Sequence, residues 1–466
     1  MALLENVDGG IRRALSRRFA GLVFIAAILH GCGPRATKPS PNEGAGPGPM
    51  DFAVPCVGLA CQQKNCGELG VTTLVGKVYA PNGTLPLYNA VVYVPNAPLE
   101  PFEKTVKCEP CDGHVSGSPL VKAVTGPDGS FVLENVPAGI DIPLVVQIGK
   151  WRRQVLVDVP ECTTTELEAK YTRLPQSNSE GEIPKIGIAT GSLDPMECLL
   201  LKIGIDPNEI AEPGQGKRVD FYKAAHSPGT TISTNTPSGA DLTKGLYMDL
   251  KKLMDYDVVI LPCEGSEYDQ GAVGRSNIVE YLNAGGRVFG THYSYSWFTY
   301  SNSPFNKIAK PQKDGLWPRG QSAKIPGTVT LVTNFPKGMA FAQWLISAGA
   351  KSAPNKLEAP AVLHDIDGVD PAFAQAWGKL DFNGIPATPL LTFNTPLNAP
   401  PDDMGVPQYC GRAVFGDLHV AASEASGPTF PKACKGGPLT DQEKALAFML
   451  FDLSSCVQSD LIPPVM

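Results

Sequence analysis

Four short stretches carry side chains able to do proton or metal chemistry. "GGRVFGTHYSYSWF" (285–298) reads as a strand running into a tight turn, with His292 at the turn. "GRAVFGDLH" (411–419) ends a second strand on Asp417 and His419. "YDVVILPCEG" puts Cys263 and Glu264 just past a buried run, and "KIGIATGS" does the same for Thr190, Gly191 and Ser192. Two imidazoles with Asp417 and Glu264 suit general acid–base work or metal ligation. Ser192, Thr291 and Tyr293 would offer hydroxyls to a bound ligand. A histidine at a strand end is as often only a satisfied hydrogen-bonding residue, and that bland reading stands beside the catalytic one.

Those stretches meet only if the chain folds as repeated strand–helix units. From residue 185 the pattern does alternate in that way. "KIGIAT" and "DVVIL" are buried-strand runs, Asp194-Pro195 is a helix start, and "AVGRSNIVEYLNAGG" is a helix closed by glycines. At the end, "LTDQEKALAFMLFDL" pairs Thr440 with Glu443 as a capping box, and Leu446, Met449, Leu450 and Leu453 share one face. Such units predict an α/β flavodoxin-like domain with a mostly parallel sheet over 185–458. In open sheets of this kind ligands sit beyond the carboxyl ends of the strands, where all four stretches would gather. Residues 300–400 match no pattern. The "YSYSWF" aromatics can stack on a sugar ring or pack a helix. His226 and His364 have no partner motif.

The front of the chain has a different character. Arg12, Arg13, Arg17 and Arg18 precede the apolar run "FAGLVFIAAIL", too short to span a bilayer, so residues 1–31 read as a signal peptide. Leu29-His30-Gly31-Cys32 resembles a lipobox, which implies acylation of Cys32. Residues 32–55 are Pro/Gly-rich and read as a flexible tether. Twelve cysteines fit an exported protein. Cys56, Cys61, Cys66, Cys108 and Cys111 read as disulfide partners rather than a zinc site, and with Cys32 lipidated at least one thiol is left free or intermolecular. Residues 56–171 combine this Cys-rich segment with short alternating strands, predicting a small all-β sandwich with a hairpin turn at Asp128-Gly129. Trp151, Arg152 and Arg153 can contact polysaccharide or phosphate, or form a solvated strand face. Residues 172–184 are polar and read as a linker.

Two resemblances sharpen this. "GKVYAPNG…AVVYV…TGPDGSFVLENVPAG" resembles the carboxypeptidase regulatory-like (transthyretin-like) domain, which implies a non-catalytic spacer or adhesion module. "YDVVILPCEG…AGGRVFGTHYS" resembles the class I glutamine amidotransferase-like superfamily, and more closely its ThuA-like branch, with "GRAVFGDLH" as the late histidine element. The resemblance implies that His292 and His419 are pocket histidines. It also implies that the amidotransferase nucleophile is absent, since the turn that would carry a cysteine carries His292. The glutamate expected two residues past His419 is Ala421. Cys263 would lie in the oxyanion loop, where a disulfide to Cys198 would remove both thiols.

The expected protein is therefore an envelope lipoprotein, facing the periplasm or the outer membrane and held to the membrane by its N-terminal lipid. Its α/β domain would be a non-amidotransferase binding module for a small polar or carbohydrate ligand. The alternatives are a hydrolase or sugar-modifying enzyme using His292 and His419, and a purely structural envelope protein. No cofactor or resident metal is expected. The net charge of −7 argues against nucleic acid as a partner. Tryptophan synthase activity is not supported, since its alpha chain is a cytoplasmic (β/α)₈ barrel, unlike an exported chain with a β-sandwich and many cysteines.

Overall fold

A computed structural model describes residues 56–108, 115–311, 325–382, 385–403, 405–420 and 429–464. The signal peptide, Cys32, the tether, Cys111 and Ala421 lie outside the described residues. Residues from Cys56 onward form one compact unit, multidomain in character, with large sheets and few helices. No helix among the described residues is long and apolar enough to cross a membrane.

Two sheets occupy the N-terminal part. One is antiparallel and joins Pro119–Val124, Val91–Pro95, Gly139–Ile148 and Trp151–Val159 in that order. The other joins Ser130–Glu134, Thr73–Lys77 and Thr164–Glu166. Alternation shows directly in Ser130–Glu134, where Phe131 and Leu133 are buried and their neighbours exposed. The predicted turn at Asp128-Gly129 exists: Gly129 has φ +78° and Asp128 Oδ1 accepts from Ser130 N at 3.1 Å. It is not a hairpin, however, because the strands it joins belong to different sheets. The Gly129 carbonyl accepts from Val78 N at 2.9 Å, which ties the turn to the second sheet and makes it a crossing.

Arg152 corrects the surface reading of its strand. It is buried, donates to Glu182 Oε1 at 2.6 Å and to the Glu100 carbonyl at 2.8 Å, and lies over the Phe102 ring. Trp151 is buried against Phe451 of the C-terminal helix. A polyanion or sugar has no access to either. The segment read as a linker is packed chain, with Leu174 and Ile183 buried. One apolar core runs from the N-terminal sheets through the C-terminal helix into the larger sheet.

That larger sheet has ten strands and is mixed. Its parallel half runs Gly411–Gly416, Arg287–Thr291, Val258–Leu261, Ile186–Thr190, Val219–Lys223 and Ile210–Ala211. Its antiparallel half adds Ile385–Thr395, Ala374–Phe382, Ile325–Leu331 and Lys356–Val362 beyond Gly411–Gly416. Five of its nine strand pairings are parallel and four antiparallel, so an antiparallel extension adjoins the expected parallel sheet. The antiparallel strands come from the stretch that matched no sequence pattern. Strands and strand–helix units tile the parallel half as expected, including Ala272–Ala284 and the capped helix Asp441–Ser454. Thr440 and Glu443 do form the reciprocal capping box, and the four named apolar residues of that helix are all buried.

Candidate functional site

The parallel strands bring the sequence-selected residues to one end of the sheet. His292 follows Arg287–Thr291 at φ +46°, a left-handed conformation unusual for a residue with a side chain. The turn is held there by Ser294 Oγ, which donates to the Leu261 carbonyl at 2.6 Å. His292 is buried, and its ring stacks on Tyr293 with centroids 3.8 Å apart.

Three groups surround the His292 ring. Cys263 Sγ lies 3.0 Å from Nδ1, and His419 Nε2 lies 3.1 Å from the same nitrogen. On the far side Nε2 faces Asp365 Oδ2 at 3.3 Å. Asp417 stands behind: its Oδ2 accepts from Asp365 N at 2.8 Å. Burial and the neighbouring His419 hold His292 well below the usual histidine range, so the ring is neutral. Burial pushes the Cys263 thiol up, leaving it protonated. Burial also raises Asp417 to about 6, against the N–H groups of Asp365 and Ile366 that favour its charge. His419 is the partly exposed member of the group.

Asp194 adds a further carboxylate. The helix start predicted at Asp194-Pro195 is real, with the helix running Met196–Lys202, but the Asp194 side chain does not cap it. Its Oδ1 instead accepts from Val420 N at 2.8 Å, next to His419. Thr291 is buried and its Oγ1 accepts from Cys263 N at 3.1 Å, so it positions the cysteine loop. Gly191 is needed for the same loop, since a side chain there would collide with the Cys263 carbonyl oxygen. Ser192 donates to the Glu264 carbonyl at 3.3 Å. The Glu264 carboxylate accepts from His226 N at 2.9 Å and Gln270 Nε2 at 2.9 Å. It organises the adjoining loop and does not face the histidines.

Sequence reasoning missed Asp365, and the Cys198–Cys263 bridge it left open does not form. Cys198 pairs with Cys434, and Cys263 is a buried free thiol. The remaining described cysteines are all bridged, among them Cys56–Cys61, Cys66–Cys162 and Cys108–Cys410. Asp365 lies in the stretch without a pattern, and the only signal for it was the polar "LHDID" between two strand-like runs. Of the "YSYSWF" aromatics, Tyr293 stacks on His292, whereas Trp297 packs against Tyr247 and Phe298 against Phe393 and Phe415. A separate cleft of about 800 Å³ is lined by Lys185, Asp220, Lys252 and Tyr256, and includes none of the predicted site residues.

No protein-family model matches the sequence, and no curated protein matches it either. Among solved structures, a ThuA-like protein from Bacteroides uniformis is similar at 12% identity and a TM-score of 0.29, covering 57% of this chain and 88% of that one. A ThuA-like protein from Parabacteroides merdae is similar at 14% identity and a TM-score of 0.29, covering 59% and 91%. A cytoplasmic protein from Salmonella typhimurium reaches 10% identity and a TM-score of 0.31, covering 59% and 100%. Similarities this low assign neither a family nor an activity.

Proposed function

We propose that this chain is an envelope lipoprotein, acylated on Cys32, whose C-terminal part is a ThuA-like pocket domain that binds a small polar ligand of the carbohydrate class. On this reading the N-terminal sheets are a carboxypeptidase regulatory-like sandwich that carries the pocket domain. The strand order Val219–Lys223, Ile186–Thr190, Val258–Leu261, Arg287–Thr291, Gly411–Gly416 supports a flavodoxin-like description of the parallel half. The observation that carries the functional reading is His292. It occupies the turn at φ +46° with its ring toward His419, where an amidotransferase would need a thiolate. The nearby thiol, Cys263, is protonated by its burial.

A hydrolase is the second reading, and one observation favours it. Cys263, His292 and Asp365 are ordered as nucleophile, base and orienting carboxylate at 3.0 and 3.3 Å. The same burial that protonates the thiol argues against it.

Thermal unfolding of the whole mature chain against neutral mono- and disaccharides tests the binding reading. A specific ligand raises the midpoint by mass action, and the rise should vanish in His419→Ala. No rise with any sugar, or one that survives in His419→Ala, would remove the histidine pocket from the account. Release of reducing sugar or acyl product that stops in Cys263→Ser would favour the hydrolase instead.

A further inference from the structure

We infer that Cys263, His292 and His419 form a site for a zinc-type divalent cation, oriented from behind by Asp365. The three donors come from three neighbouring strand ends, and their ligating atoms all lie within 4.8 Å of one another.

A neutral imidazole has one N–H and one lone pair. Asp365 Oδ2 lies 3.3 Å from Nε2 of His292, too poorly aimed for a good hydrogen bond, and a carboxylate on that side favours the Nε2–H tautomer. Nδ1 then holds a single lone pair, yet Cys263 Sγ and His419 Nε2 both crowd it, at 3.0 and 3.1 Å. One lone pair cannot accept two hydrogen bonds well. A cation among the three atoms removes the conflict, because each then points a lone pair at the metal. Binding releases the Cys263 thiol proton and needs His419 as its Nδ1–H tautomer.

The donor set has the right chemistry. One sulfur and two imidazole nitrogens are borderline-soft ligands suited to zinc, and three protein ligands leave a fourth position open. A carboxylate on the far nitrogen of a ligating histidine fixes the tautomer and raises its basicity. Asp365 occupies that place, and Asp417 Oδ2 accepts from its N–H at 2.8 Å. One oxygen each of Asp417 and Asp194, both buried beside the three donors, finds no hydrogen-bond partner among the described residues. In a chain whose other described cysteines are all bridged, Cys263 alone stays reduced.

The inference goes beyond the sugar-binding reading, and either can fail alone. The whole chain, stripped with a chelator, is titrated with Co²⁺ and then with Zn²⁺. The expected result is one Co²⁺ per chain with a thiolate-to-cobalt charge-transfer band, displaced by Zn²⁺. The band should be lost in Cys263→Ser, and affinity should fall about 10–100-fold in Asp365→Asn. Cys263→Ser is nearly isosteric, and near-ultraviolet circular dichroism checks that it folds, so the decision does not depend on His292 variants. Absence of the band, or a band that persists in Cys263→Ser, would overturn the site. A sugar-induced midpoint shift retained in Cys263→Ser would leave the pocket reading standing without the metal.

Discussion

The two ends of the strand Gly411–Gly416 are built on opposite principles. At its amino end Arg412 is buried, donates to Asp452 at 2.7 Å and Asn394 at 2.8 Å, and forms an ion pair with Asp460 at 2.8 Å. Lys337 joins the same carboxylates at 2.9 and 3.4 Å, so two cations face two anions. Cys410, the preceding residue, is bridged to Cys108. At the carboxyl end stand Asp417 and His419, with Asp365, Asp194, Cys263 and His292 around them. There the carboxylates are held largely by backbone N–H groups, and burial lifts Asp417 to about 6. One end has closed its charge account internally. The other keeps desolvated acids and a strained turn in place, which is where proteins put function.

The contrast breaks most visibly at the amino end. Asp452→Ala should cost about 3–5 kcal/mol, because it strands two buried cations with one carboxylate. Urea unfolding reads this directly, and a loss below about 1 kcal/mol would mean the network is not closed as described. Next in size is the covalent tie. Replacing both Cys108 and Cys410 by serine should cost about 2–4 kcal/mol, since the bridge closes a very long loop of chain. With the other bridges kept oxidised in both, the thermal midpoint of the variant should fall below that of the native chain; a variant as stable as the native protein would show that packing alone holds this end.

How far the sequence reached follows the same division. The parallel half was legible because each strand is a short buried run followed by a turn and a helix, signals confined to about twenty residues. His292, His419, Asp417 and Cys263 were found for that reason, as was the capping box at Thr440 and Glu443. Asp365 was not, because its strand neighbours Lys356–Val362 and Ile366–Val369 pair with partners far away in sequence and show no local period. The Cys198–Cys434 bridge spans 236 residues and leaves no local mark. Arg152 and Trp151 misled for the converse reason. Alternation predicts two faces for a strand but not that a helix from the far end of the chain will cover one of them.

The smallest expected effect sharpens the carboxyl end without touching its proposed ligands. Glu197, on the helix behind Asp194, is buried; its Oε1 accepts from Thr230 Oγ1 at 2.7 Å. Desolvation by burial pushes it up to about 7, above the usual 4.5. Between those values the folded chain keeps a proton that the unfolded chain has released. Its contribution is therefore most favourable below pH ~4.5, declines as pH rises, and is fully lost above about 7. At 1.36 kcal/mol per pH unit the cost is at most about 3 kcal/mol, and relaxation of the site should leave roughly 1–2. Glu197→Gln keeps the hydrogen bond from Thr230 and has nothing to ionise. The difference in unfolding free energy between the two proteins should then be small at pH 4 and grow to about 1–2 kcal/mol in favour of glutamine at pH 8. A difference that stays flat across that range would mean Glu197 is already ionised in the fold. The carboxyl end would then be better satisfied, and the contrast with the amino end correspondingly weaker.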